Sequence, residues 1–231
     1  MCGARKNTIS MKKYYKIIPL ILQSLIWLPA RLFFKLVYNI EIKGVKNIKN
    51  IDRGVIFASN HLSELDPIII PSSLPFLSKL MPMFYVSMKK NFYKRRKFLY
   101  GGLLFKIWGA YSKNSGSNNY SLSLQEHIKI LRNKNSLCIF PEGKMTDNFD
   151  SDNIKGGVAY ICHKTNSPVI PVLIKISEDS RKKIIIFFGK ALYPKDIFIN
   201  FSQIKINEQQ NDYKEASGFI MSVVYKLDRV D

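Results

Sequence analysis

The chain has 231 residues, enough for one substantial core, and carries 36 Lys plus Arg against 17 Asp plus Glu, a formal net charge of +19. No internal repeat and no linker rich in Pro, Gly or Ser divides it, which argues against a repeat or multidomain architecture. Its three cysteines, Cys2, Cys138 and Cys162, form no C-x-x-C pair, which excludes a disulfide framework and is consistent with a reducing compartment.

Residues 1–38 read as an N-terminal helical extension, and residues 39–231 as one domain. Helix is expected over 14–38. Its apolar stretch Ile17 to Leu28 is twelve residues, roughly 18 Å at ~1.5 Å per residue, short of a ~30 Å hydrocarbon core. Extension to Tyr38 reaches that thickness but adds Pro29, Arg31 and Lys35, and each charge costs about 2.5 to 3.5 kcal/mol at a bilayer centre. Ser24, Arg31 and Lys35 share one helical face. The expectation is therefore a kinked helical pair lying in the interface, a monotopic anchor on the cytoplasmic side of a membrane. A secretory signal peptide is the rival reading, with Lys12 and Lys13 as its basic start, but cutting after Ala30 puts Leu28 at an unfavourable position. Met11 is an alternative start that would remove Cys2.

Strands follow at 39–43 and 54–59, the second being the apolar, β-branched run GVIFAS, which stops at Asn60. His61 then sits at a strand exit. Asp66 and Pro67 read as the N-cap and first residue of a helix over 67–79. Five positions apart on one helix, His61 and Asp66 would differ by about 140°, so a turn is what brings the carboxylate to the imidazole as orienter of a base. The plainer reading makes Asp66 a helix cap and His61 a satisfied loop histidine.

A strand at 82–88 leads into a basic helical region at 91–107 and a short strand at 108–112. Between Pro67 and Gln125 there is no Asp or Glu, while nine lysines and arginines fall there. The run KKNFYKRRK at 89–97 interleaves aromatics with cations, as nucleic-acid binders do, but no nucleic-acid module accompanies it. Neighbouring Phe98, Leu99, Leu103, Leu104, Ile107 and Trp108 fit a membrane-facing segment with lysines at headgroup level. A solvated face, an acidic acyl carrier protein and the phosphates of coenzyme A also suit the charge.

Helix 119–132 carries His127 beside the stripe Leu124, Ile128 and Leu131. Strand 136–140 ends in Pro141, Glu142 and Gly143, a second carboxylate at a second strand exit. Helix 154–165, strands 168–175 and 182–188, and a C-terminal helix over 210–227 complete the order. His127 and His163 read as structural, and no metal site is expected. Alternating strands and helices predict a layered α/β domain with a largely parallel central sheet flanked by helices. In such sheets ligands bind at the carboxyl ends of strands, so both polar clusters belong to one mouth if their strands are parallel.

SNHLSELDP at 59–67 followed by IFPEGK at 139–144, with KGGVAYIC at 155–162 and PVIPVLI at 168–174, resembles the glycerolipid acyltransferases of the 1-acylglycerol-3-phosphate (lysophosphatidate) acyltransferase family. The resemblance covers about residues 38–190. It implies transfer of an acyl group from a thioester, on coenzyme A or acyl carrier protein, to a lysophospholipid hydroxyl. His61 and Asp66 are then the catalytic pair, and Asn60, Lys113, Glu142, Gly143, Lys144 and Thr146 the substrate-binding positions. No cofactor and no metal are called for, and the partners are membrane lipids and the acyl carrier rather than nucleic acid. The chain departs from the family where an arginine commonly precedes helix 119–132, here Lys113, and where Thr-Arg-Ser commonly follows the F-P-E-G motif, here Lys144, Met145 and Thr146. A bidentate arginine fork is replaced by a point charge, which leaves the acceptor headgroup open. No G-x-S-x-G nucleophile elbow is present, so the acceptor's own alcohol attacks without an acyl-enzyme. A non-catalytic lipid-binding protein on the same fold is the reading from another class.

Overall fold

The structure, a computed structural model, describes residues 5–87, 102–113, 119–146, 150–177, 183–199 and 210–229. Most of the expected basic segment, including the run at 89–97, lies outside the described residues. The elements in chain order are α1 (Arg5–Tyr38), β1 (Glu41–Lys43), β2 (Ile56–Ser59), α2 (Asp66–Ser73), β3 (Met83–Ser87), α3 (Gly102–Trp108) and β4 (Ala110–Ser112). There follow α4 (Tyr120–Ser123), α5 (Gln125–Arg132), β5 (Ser136–Ile139), α6 (Gly157–Thr165), β6 (Val169–Ser177), β7 (Lys183–Phe188), α7 (Pro194–Phe198) and α8 (Gln210–Val224).

The strands form one seven-stranded sheet in the order β1-β7-β6-β2-β5-β3-β4. β6, β2, β5, β3 and β4 are mutually parallel, β7 runs antiparallel to β6, and β1 is parallel to β7. The largely parallel α/β sheet read from the sequence is what the chain adopts. β5 is inserted between β2 and β3. The β2-to-β3 connection through α2 therefore runs toward one edge, and the β5-to-β6 connection through α6 runs toward the other. Right-handed crossovers in opposite directions put their helices on opposite faces. The adjacent exits of β2 and β5 lie where these connections diverge, the place at which open α/β sheets take ligands.

Alternation along the strands supplies a core on each face. Phe57, Cys138, Ile170 and Val172 join Ile69 and Ile70 of α2 and Ala30 and Phe34 of α1, while Ile56, Ala58, Leu137 and Ile139 join Ile128, Val158, Ile161 and Ile220. A smaller cluster of Ile154, Leu173, Phe187, Met221 and Val224 seats the end of α8 on β6 and β7.

Four elements differ from the sequence reading. α2 stops at Ser73 because Leu74 precedes Pro75 and takes the extended conformation that proline imposes, with φ −70° and ψ 158°. The helix expected over 119–132 is broken at Leu124 into α4 and α5. α7 was not foreseen; Pro194 opens it, and Asp196 turns its carboxylate back to the Tyr193 N–H at 3.1 Å. The N-terminal segment is one helix with Pro19 and Pro29 inside it, not a helical pair.

α1 docks on the domain through polar as well as apolar groups. Buried Gln23 donates to the Met83 and Trp108 carbonyls, both at 2.8 Å, and accepts from the Met83 N–H at 2.9 Å. Arg31 donates to the Ser72 carbonyl at 2.9 Å and lies 5.4 Å from the centroid of the Trp27 ring, so it is spent on the protein rather than on headgroups. The outward side, Ile21, Leu25, Leu28, Leu32 and Leu36, is apolar and exposed. By length and composition alone, Ile17–Tyr38 is also long and apolar enough to cross a membrane.

Candidate active site

β2 and β5 end level with each other, Ala58 opposite Ile139 in the parallel register. Three residues beyond that pair stand His61 on one side and Glu142 on the other, so the register alone places both sequence-predicted groups at one mouth. On the far side of β2, buried Asn60 extends the pairing with β6 through its side chain. Its amide donates to the Ile174 carbonyl and accepts from the Ile174 N–H, both at 2.8 Å. Among the expected substrate-binding residues, Asn60 is thus turned into the sheet and fixes where β2 ends.

The turn from His61 to Asp66 is organised around one buried carboxylate. Asp66 Oδ2 lies 2.7 Å from His61 Nδ1 and accepts the N–H groups of Leu62 and Ser63 at 2.8 and 2.9 Å. Oδ1 accepts the Ser63 hydroxyl at 2.8 Å. Asp66 is the first residue of α2 and caps nothing in that helix, where the sequence reading made it the N-cap. The start of α2 is pinned by Tyr85 Oη and Trp108 Nε1, which donate to the Pro67 carbonyl at 2.7 and 3.3 Å. With Nδ1–H donating to a carboxylate, the tautomer is fixed and Nε2 is the basic nitrogen. The imidazole stacks on Phe140 at a centroid distance of 4.2 Å and an interplanar angle of 19°. Asp66 is 1% exposed against 20% for the His61 side chain, so the orienter is sealed while the base reaches solvent.

Glu142 is buried and both its oxygens are engaged. Oε2 accepts the His61 backbone N–H at 3.2 Å and Oε1 accepts the Tyr225 hydroxyl at 2.5 Å. Burial raises its pKa, while the bonds from Tyr225 and His61 and the charge of Lys144 work the other way. Gly143 takes φ +67°, a left-handed value that glycine adopts without strain, and its N–H closes the turn onto the Phe140 carbonyl at 3.0 Å. The Thr146 N–H donates to the His61 carbonyl at 2.9 Å, so the two loops hold each other through backbone. Lys144 is exposed just outside this turn. Lys113 is half-buried at the carboxyl end of β4, its N–H on the Ser87 carbonyl at 3.0 Å. It belongs to the same edge of the sheet but stands two strands from β5, about 10 Å at the usual spacing.

The buried thiols do not offer nucleophiles. Desolvation, and then the charge of Asp66, push Cys138 well above its ordinary value, and burial takes Cys162 to about 12. His127 is buried with Nε2 near the Tyr111 carbonyl at 3.1 Å, and His163 Nδ1 meets the Tyr213 hydroxyl at 2.8 Å, both away from the mouth. Among the described residues no cluster of three or more His, Cys, Asp or Glu is arranged to hold a metal.

Three members of this constellation escaped the sequence reading. Ser63 had a signal, since Ser63-x-x-Asp66 has the spacing of a capping box. Phe140 stood beside the motif without announcing a ring to stack on. Tyr225, eighty-three residues from Glu142, had none.

The acyltransferase family model matches residues 39–175, more than half of the chain. A probable 1-acyl-sn-glycerol-3-phosphate acyltransferase of Mycoplasma pneumoniae is 25% identical, the alignment covering 82% of this chain and 78% of that protein. Its counterpart in Mycoplasma genitalium is 21% identical over 80% and 76%. The fold is similar to the crystal structure of the 1-acyl-sn-glycerophosphate (LPA) acyltransferase PlsC from Thermotoga maritima, with a TM-score of 0.55 at 18% identity over 90% of this chain and 82% of that one. The same two strand exits that carry His61 and Glu142 lie within the matched span, and the chain belongs to the acyltransferase family.

Proposed function

We propose that this chain moves a fatty acyl group from an acyl thioester to the free hydroxyl of a lysophospholipid, 1-acylglycerol-3-phosphate being the favoured acceptor and phosphatidate the product. The observation that carries the reading is the 2.7 Å pairing of His61 Nδ1 with buried Asp66 at the β2 exit, beside the β5 exit of the family motif. His61 Nε2 takes the proton of the acceptor hydroxyl as its oxygen attacks the thioester carbonyl carbon. Asp66 stabilises the imidazolium that forms. Collapse of the tetrahedral intermediate breaks the carbon–sulfur bond, and the leaving thiolate takes the proton back. The ester and the free thiol are the products. The names of the relatives support the acceptor, and Lys144 and Lys113 at the same sheet edge are phosphate partners of the right sign.

The donor is a thioester of coenzyme A or acyl carrier protein, with no further cofactor. Residues 1–38 serve as the anchor: the apolar outward face of α1 lies in the cytoplasmic leaflet while its inward face stays docked on the domain. A charge at Leu25 or Leu36 is then expected to release the protein from anionic vesicles, read by co-sedimentation.

The test is transfer by purified, detergent-solubilised protein from labelled acyl-coenzyme A and acyl carrier protein to a panel of lysophospholipids, beside His61→Ala. Product with lysophosphatidate, reduced about 10²- to 10⁴-fold in the variant, is the expected result. Folded protein that transfers to no acceptor from either donor overturns the reading.

A further inference from the structure

The C-terminal end of the chain lies outside the span matched by the family, yet it reaches the mouth of the site. Tyr225 follows α8 directly. Its ring packs on the cluster of Leu173, Phe187 and Val224, and its hydroxyl donates to Glu142 Oε1. The segment beyond it is clamped at two points. Leu227 lies so close to Gly189 that a Cβ there would sit 2.8 Å from its Cδ2, and Asp228 pairs with Lys175 of β6 at 2.8 Å. The hydroxyl is therefore delivered from a fixed support, and an unbroken line of contacts runs from it through the Glu142 carboxylate to the His61 backbone N–H.

Resting on the acyl-transfer reading, we propose that Tyr225 is a positioning residue of the site. It keeps the Glu142 carboxylate aimed at the His61 main chain and thereby holds the base at the exit of β2. A buried carboxylate held by one N–H and one O–H has two ways to fail: it can swing, or it can take a proton. The Tyr225 hydroxyl opposes both. The charged and titratable groups acting on Glu142 are Tyr225, His61 and Lys144. Of these, Tyr225 alone comes from the C-terminal end of the chain.

The test is Tyr225→Phe, which keeps the ring in its cluster and removes one oxygen. A hydrogen bond to a charged group of this kind corresponds to about ten- to 150-fold in kcat/KM, carried by kcat. Because the lost bond favoured the ionised carboxylate, the Glu142 titration moves to higher pH. In a Glu142→Gln background, where the bond that remains to Tyr225 is neutral, the same substitution has a smaller effect. Carboxylate NMR with labelled glutamate follows the Glu142 titration without turnover. A chain that transferred to no acceptor would sink the acyl-transfer reading and still leave this measurement decisive. An unmoved Glu142 titration with kcat/KM within twofold of wild type, or an undiminished effect of Tyr225→Phe in Glu142→Gln, overturns the assignment.

Discussion

Asp66→Asn separates the charge of the orienting residue from its geometry. Three N–H donors converge on Oδ2, at 2.7, 2.8 and 2.9 Å, and one hydroxyl on Oδ1 at 2.8 Å. An asparagine satisfies this pattern with its carbonyl oxygen in the Oδ2 place and its amide toward Ser63 Oγ, which turns its hydroxyl and accepts. The ring orientation and tautomer of His61 are then preserved, and only the negative charge is lost. Two unit charges about 4 Å apart attract by about 4 kcal/mol at an effective dielectric of about 20. The fifth of the His61 side chain that meets solvent lowers this through screening. About 2 to 3 kcal/mol remains, roughly 30- to 150-fold in kcat. The charge matters only once the imidazolium forms, so KM is expected to stay near wild type. The assay is steady-state transfer from a labelled thioester to lysophosphatidate, with thermal melting to show that the fold persists. A kcat within threefold of wild type in folded protein would refute the idea that the Asp66 charge assists the base.

Asn60→Ala strands the Ile174 N–H and carbonyl in the core and is expected to destabilise by about 2 to 4 kcal/mol, read by urea unfolding in detergent; an unchanged midpoint would contradict the role given to its side chain. His127 is buried neutral with its pKa lowered to about 4, burial outweighing the opposing pull of the Tyr111 carbonyl and Glu126. The unfolded chain therefore takes the proton first on acidification. Stability is complete above about pH 6.5 and is lost as pH falls toward 4, by at most about 3 kcal/mol. His127→Gln should flatten that slope of unfolding free energy against pH. Gly44 has φ +73° and a Cβ there would meet the Phe188 carbonyl oxygen at 2.0 Å, so Gly44→Ala forces β7 to move. A loss of about 3 kcal/mol or more is expected, and a melting temperature within two degrees of wild type would show that the loop yields instead.

Strand and helix alternation, the two polar strand exits and the turn joining His61 to Asp66 were legible in the sequence because each is a local matter of side-chain period, proline placement and short-range reach. The pattern of GVIFAS could not say which strand lies beside it. Insertion of β5 between β2 and β3 made neighbours of two motifs about eighty residues apart, and only the register set His61 level with Glu142. Partner choice was equally hidden. Asn60 read as a turn residue and serves β6; Arg31 read as one charge on a face of the N-terminal helix and serves a carbonyl of α2. Tyr225 carried no mark at all, since its role exists only where the end of α8 is packed against the β6 and β7 face. A sequence records which groups a residue brings and how the chain turns within a few positions. Which distant group each one meets is decided by strand order and by the burial that leaves a polar atom a single partner within reach.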